Sequence, residues 1–279
     1  MLTILRRLRH GPLAALGPIW LWFGRIYRKL ARHLPGLAVS QKIGAYGPFR
    51  LSPEFAFSDF ENWGSAHNRG FRACIEASRG KHCVLDVGAH IGLVSVPIAS
   101  VLAPGGTLYS FEPAEANARI LERHLQLNRL GNVEVTRAIV GSDDREAVGF
   151  YEGVGPHGQN SIVLKSETAL NSEVGGYLRT SRKQLSLDSF CRGRGVAPEV
   201  IKIDVEGAEI NVLKGARQIL TAHRPLVYLS VHPREIGVAG GSMDELAAVI
   251  AELGYEIRDF DGNKVAMSGL NEYLMAPRA

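Results

Sequence analysis

Between Cys83 and Phe260, apolar runs of strand length alternate with amphipathic segments of helical length, and few folds accommodate such an alternation. CVLDV (83–87), TLYSFE (107–112), VEVTRAIV (133–140), EVIKIDV (199–205) and PLVYLSV (225–231) are short, apolar and rich in β-branched residues, as buried strands are. Helical stretches separate them. Ala114 to Asn128 carries Ala118, Leu121 and Leu125 on one face, and Gly207 to Leu220 carries Ile210, Leu213 and Ile219. Met243 to Leu253 places Leu246, Val249, Ile250 and Leu253 at helical spacing, and Gly92 to Ala103 reads as a helix that Pro97 kinks or shortens. YEIRDF (255–260) and EYLMA (272–276) are expected to close the sheet. Repeated strand–helix–strand units imply an α/β fold with a doubly wound, mostly parallel sheet and a ligand at the strand C-terminal ends.

Three stretches stand outside this rhythm. Residues 37–80 form a lead-in in which FRLSPEFAF (49–57) suggests a strand or hairpin, with Pro53 at an edge, and Phe60 to Ser78 looks helical. Within the 81–279 domain, residues 141–182 are rich in Gly, Ser and Asn and read as an irregular insertion with strand-like pieces AVGFYE and SIVL. QLSLDSF (184–190) then resumes regular structure. Residues 1–36 are a basic amphipathic arm, expected to be helical, with seven Lys or Arg and no acid. Its apolar stretch, PLAALGPIWLWFG, is too short to span a bilayer and is broken by Gly17-Pro18. Trp20, Trp22 and Tyr27 among the bases suit a membrane surface, with packing on the chain's own domain as the alternative.

The arm accounts for the net charge of +4, because the other 243 residues carry 25 bases against 28 acids. A mildly acidic body argues against nucleic acid as a partner. Three cysteines without a CxxC argue against a disulfide framework or zinc knuckle and for a reducing compartment. The expected location is therefore cytoplasmic, at the inner face of a membrane if the arm engages one.

The chemistry starts at VLDVGAHIG (84–92). Gly88 follows the first strand and Gly92 leads into the helix, a turn in which backbone N–H groups can approach a ligand. The spacing is GxxxG, not the dinucleotide GxGxxG. Asp86 is an ionisable group in a buried strand and needs a partner, for which a ligand ammonium would serve. Glu112, 24 residues after Gly88 at the end of the second strand, can accept from both hydroxyls of a ribose, and Pro113 ends that strand. Together these residues suggest an adenosine-like ligand bearing positive charge.

VLDVGAHIGLVS, FEPAEAN, LSLDSF and IKIDVEGAEINVLKGA, in that order over about residues 82–235, resemble the FkbM family of S-adenosylmethionine-dependent methyltransferases. The resemblance implies a Rossmann-like class I methyltransferase sheet and S-adenosyl-L-methionine as cofactor. It implies that Asp86, Gly88 and Gly92 lie against the methionine part, that Glu112 beside Pro113 holds the ribose, and that 138–143, with Val140, flanks the adenine. His90 stands where the family usually has Asn. Residues 1–60 lie outside the resemblance.

Asp204 and Glu206 end the fourth strand, and His232 follows the fifth. All three should reach the cleft, where a carboxylate or imidazole could align an acceptor and take its proton. Glu209 reads as a helix-start charge. A divalent cation on Asp204 and Glu206 is the less favoured alternative, because no further acid visibly converges there. Asp188 suggests a helix cap, with entry into the cleft as the alternative, and Asn160 and Ser161 a contact with acceptor or cofactor. The expected activity is O-methylation of a sugar or secondary-metabolite hydroxyl on a small molecule or glycan. A non-catalytic nucleotide-binding scaffold and an NAD-dependent oxidoreductase are the rival readings.

Overall fold

The computed structural model describes residues 37–64, 68–153 and 177–278 together with 27, 30 and 31. The lead-in opens with an antiparallel hairpin, β1 (Val39–Ile43) and β2 (Tyr46–Leu51), that turns Ile43, Phe49 and Leu51 inward. Pro53 starts a short 3₁₀ turn instead of sitting at a strand edge, and its fixed φ and missing N–H are harmless there. The helix expected over Phe60–Ser78 is confined to α1 (Arg69–Ala77). Tyr27, expected at a membrane surface, lies on the domain: its hydroxyl donates to Pro53 O at 2.8 Å and its ring meets Phe57 edge-on. The remaining expectations for the arm, and those for SIVL, Asn160 and Ser161, lie outside the described residues. Among the described residues, no helix is long and apolar enough to cross a membrane.

The alternating region follows. β3 (Cys83–Val87), α2 (Ser95–Ala99), β4 (Thr107–Phe111), α3 (Glu115–Leu127) and β5 (Val133–Thr136) wind outward in one direction. After the insertion strands β6 (Ile139–Val140), β7 (Arg145–Gly153) and β8 (Tyr177–Leu185) comes α4 (Leu187–Arg194). The chain then returns to the other side of β3 with β9 (Val200–Ile203), α5 (Glu209–Lys214), α6 (Arg217–His223) and β10 (Leu226–Val231). α7 (Pro233–Val238), α8 (Met243–Glu252), β11 (Tyr255–Arg258) and β12 (Asn271–Pro277) complete it. The main sheet has the order β11-β12-β10-β9-β3-β4-β5, with β12 antiparallel to both neighbours and the β10-to-β5 pairs parallel. The expected doubly wound α/β sheet is present, and its order reverses between β3 and β9.

Both faces of the sheet are covered, so its central strands are apolar at successive positions. Leu85, Val87, Phe111, Ile201 and Ile203 pack with α4, α5, α6 and α8. Val84, Leu108, Val200 and Tyr228 pack with α1 and α2. Asp86 and Lys202 lie on this second face, opposite each other in the β3–β9 register.

Three further expected elements differ. The helix expected over Gly92–Ala103 shrinks to α2. The third strand divides: β5 stays in the main sheet, whereas β6 joins β8 and β7 in a separate three-stranded sheet. The helix from Gly207 to Leu220 breaks into α5 and α6 at Gly215, where a Cβ would lie 2.0 Å from Gly141 O, so the insertion presses directly on the break. Asp188 does cap a helix, but not its own: its carboxylate accepts from Gln218 N and Ile219 N, both at 2.9 Å, at the start of α6.

Candidate active site

At the reversal between β3 and β9, a cavity of about 600 Å³ opens at the strand C-terminal ends. Eight of the ten residues expected at a site line it: Gly88, His90, Glu112, Pro113, Val140, Asp204, Glu206 and His232. Asp86 and Gly92 do not.

Asp86 is fully buried behind the cavity. Ser95 Oγ donates to its Oδ2 at 2.5 Å, and Lys202 Nζ sits 3.2 Å from Oδ1. The cationic partner expected from a ligand is therefore supplied by the chain itself. Lys202 Nζ also donates to Gly88 O at 2.7 Å, lies 3.8 Å from Asp204 Oδ2 and rests over the Phe71 ring. Burial disfavours the ammonium, but Asp86, and then Asp204, outweigh burial and hold it above the ordinary lysine range.

The glycine turn also works differently from expectation. Gly88 N and Ala89 N both donate to Phe111 O at 3.0 Å, His90 N donates to Glu112 Oε2 at 2.8 Å, and Gly92 N donates to Ala89 O at 2.9 Å. These N–H groups are committed within the protein and do not face a ligand. Glycine is required at 88 because φ is +83° and a Cβ would lie 1.9 Å from Asp204 O. Gly92, with φ +88°, needs glycine for its backbone conformation, and a Cβ there would also meet the Leu121 side chain at 2.5 Å. His90 has φ +51°, a left-handed conformation that Asn and His adopt more readily than most residues. This gives a physical reason for either residue at that position.

Glu112 is only 4% exposed. Its oxygens accept from His90 N, from Ala114 N at 2.9 Å and from Asn117 Nδ2 at 3.4 Å. Burial outweighs these hydrogen bonds and pushes its carboxyl up to about 7. Because the chain leaves the main sheet after β5, Ala138, Ile139 and Val140 turn along the cavity beside Phe150 of β7.

On the side of β9, β10 and β12, charged groups converge. Glu206 is held at φ +53°, strain that the surrounding structure must support. His232 Nε2 lies 3.6 Å from Asp204 Oδ1 and 3.8 Å from Glu206 Oε1. Its Nδ1 is 2.7 Å from Glu209 Oε1. Glu209 does start its helix, α5, as expected, but it is also wholly buried and anchors the imidazole. Burial opposes a charge on His232, but the Glu209 hydrogen bond and the carboxylates of Asp204, Glu209 and Glu206 outweigh it and push the imidazole up to about 9. In this state His232 donates at neutral pH and cannot serve as the base.

Sequence reasoning missed several members of this wall. Glu272, at the start of β12, lines the cavity and accepts from Gly70 N at 2.8 Å, and burial pushes its carboxyl up to about 7. Trp63 and Phe71 also line it, stacked with ring centroids 5.5 Å apart. A lone Lys in the apolar run VIKI was the available signal for Lys202; none marked Glu272 beyond a charge at a strand start.

A family model described as the methyltransferase FkbM domain matches residues 86–257. The chain belongs to the FkbM methyltransferase family. This FkbM domain is 28% identical over 202 residues to the AMB antimetabolite synthetase AmbE of Pseudomonas aeruginosa, covering 62% of this chain and 9% of that protein. It is 25% identical over 145 residues to methyltransferase 1 of Beauveria bassiana, covering 47% of this chain and 57% of that one. Among solved structures it is similar to the methyltransferase FkbM of Methylobacillus flagellatus KT, with 19% identity over 71% of this chain and 44% of the other, and a TM-score of 0.45. It is also similar to an O-methyltransferase from Bacillus cereus in complex with SAH, with 15% identity over 75% and 80% of the two chains and a TM-score of 0.43.

Proposed function

We propose that this FkbM-family chain transfers a methyl group from S-adenosylmethionine to a hydroxyl of a sugar or secondary metabolite. The observation that carries this reading is one cavity with two chemically distinct sides: a buried carboxylate at the end of β4, and a cluster of carboxylates and an imidazole at the ends of β9 and β10. The cavity size is in the range of cofactor sites. Glu112, with acceptor capacity left beyond its protein partners, would hold the ribose hydroxyls, and Pro113, Val140 and Phe150 would flank the adenine. Gly88 and His90 would border the amino-acid part. Bound there, S-adenosylmethionine supplies an electrophilic methyl group.

The residues on the other side orient the acceptor and take its proton. Trp63 and Phe71 offer an apolar wall. Asp204 and Glu206 can accept from the hydroxyl, with His232 beside them. Glu272, with its carboxyl raised to about 7, is suited to receive the proton near neutral pH.

Calorimetric titration with S-adenosylhomocysteine, beside NAD, tests the reading. The expected result is saturable binding of S-adenosylhomocysteine alone, weakened about tenfold or more in Glu112→Ala. A folded protein that binds no S-adenosylhomocysteine would overturn it.

The raised carboxyl of Glu112 adds a pH dependence. Below about pH 7 the group is protonated, and accepting from both ribose hydroxyls then requires loss of that proton. S-adenosylhomocysteine affinity should fall by up to about tenfold per unit as pH drops below that point and should level off above it. Glu112→Gln, which has no such proton, should flatten the slope in the same titrations.

A further inference from the structure

We propose that Asp204, Glu206 and His232 form a site for a divalent transition-metal ion. Two carboxylate oxygens and an imidazole nitrogen from these residues lie within 4.8 Å of one another. They come from the end of β9, the turn after it and the end of β10, so the fold and not local sequence brings them together. The cation was disfavoured from sequence because no further acid visibly converged there; the third ligand is an imidazole, that of His232.

The imidazole is the stronger evidence. His232 is 8% exposed, and its Nε2 faces Asp204 and Glu206 at 3.6 and 3.8 Å, too far for a hydrogen bond to either. Ligands about 2.0–2.2 Å from one ion would need these groups to close by only a few tenths of an ångström. The other ring nitrogen is held at 2.7 Å by wholly buried Glu209. A carboxylate behind the imidazole is the arrangement that fixes a metal-binding histidine in tautomer and direction.

Charge balance agrees. The carboxylates of Asp204 and Glu206 lie beside His232, and the ammonium of Lys202, 3.8 Å from Asp204, is already paired with Asp86; a metal ion would take the place of the proton these carboxylates hold on the imidazole. A mixed oxygen and nitrogen donor set favours manganese, iron, cobalt or zinc over calcium or magnesium. Three protein ligands leave coordination positions open toward the cavity, where an oxygen-bearing acceptor could bind. That role rests on the methyl-transfer reading; the binding of the ion does not.

The test is titration of untagged, chelator-treated full-length protein with Mn²⁺, following loss of the free-ion signal by electron paramagnetic resonance. One equivalent should bind, and nitrogen coupling from His232 should appear in the bound spectrum. Glu206→Gln and His232→Gln should each weaken binding about tenfold to a hundredfold, and the nitrogen coupling should vanish in the second. Glu209→Gln should weaken binding less. No stoichiometric binding, or binding unchanged in both ligand variants while circular dichroism shows them folded, would overturn the proposal. S-adenosylhomocysteine titrated into the same metal-free protein separates the two readings. Cofactor binding without Mn²⁺ binding would sink only the metal site; Mn²⁺ binding without cofactor binding would sink only the methyl-transfer reading.

Discussion

Lys202→Met should lower the free energy of unfolding in urea by about 3–5 kcal/mol, the range for breaking a buried ion pair by removing one partner. Methionine retains most of the side-chain volume, so the loss reports charge and hydrogen bonding, not a cavity. It would strip Asp86 Oδ1 of its cationic neighbour at 3.2 Å and Gly88 O of its donor, both in the middle of the sheet. The decisive comparison is the double variant Asp86→Leu/Lys202→Met. With neither charge left, most of the stability should return. A single-variant loss below about 1 kcal/mol, or a double variant no better than the single one, would mean that the pair does not organise this sheet.

Gly88→Ala should damage stability and cofactor binding together. The added Cβ meets a backbone oxygen, Asp204 O, at 1.9 Å, and backbone cannot rotate away as a side chain can. Overpacking and the left-handed φ together cost about 2–5 kcal/mol. Relief requires the ends of β3 and β9 to separate, which displaces Asp204 and widens the cavity at its centre. S-adenosylhomocysteine binding should therefore weaken by more than about tenfold even where the variant remains folded. Gly193→Ala is the control: among the described residues no atom lies within 4 Å of its added Cβ, and it sits in α4, so stability should hold or rise by up to about 1 kcal/mol. Equal effects at the two positions would discount the close approach as the cause.

These two sites show what the chain order conveyed and what it concealed. β3, β4, β9 and β10 were legible because burial on both faces leaves an apolar run in the sequence itself. Glu112 was legible because its role depends on its place at the end of one strand. Lys202 was not, because its meaning lies in the register between β3 and β9, which sets it opposite a residue 116 positions earlier. Glu209 was read as a helix-start charge, which it is, but its bond to His232, which follows another strand, was hidden in the same way. The split of the 133–140 run at β5 and the break between α5 and α6 arise where the insertion meets the main sheet, a contact that neither segment announces alone. Gly88 was recognised as important, but for exposing N–H groups that the turn in fact uses internally.

The position of β12 bears on how the protein is made. It is the last described strand in the chain yet an interior strand of the sheet, between β10 and β11, and it carries Leu270, Asn271 and Glu272 to the cavity. During synthesis, β10 must wait with an open edge while α7, α8 and β11 emerge, and such edges invite pairing with other chains. The pocket around Glu112 and Gly88 can form from residues already translated, whereas the wall built by Glu272 exists only after β12 slots in. Chaperone demand should accordingly concentrate on the interval between the emergence of β10 and the insertion of β12.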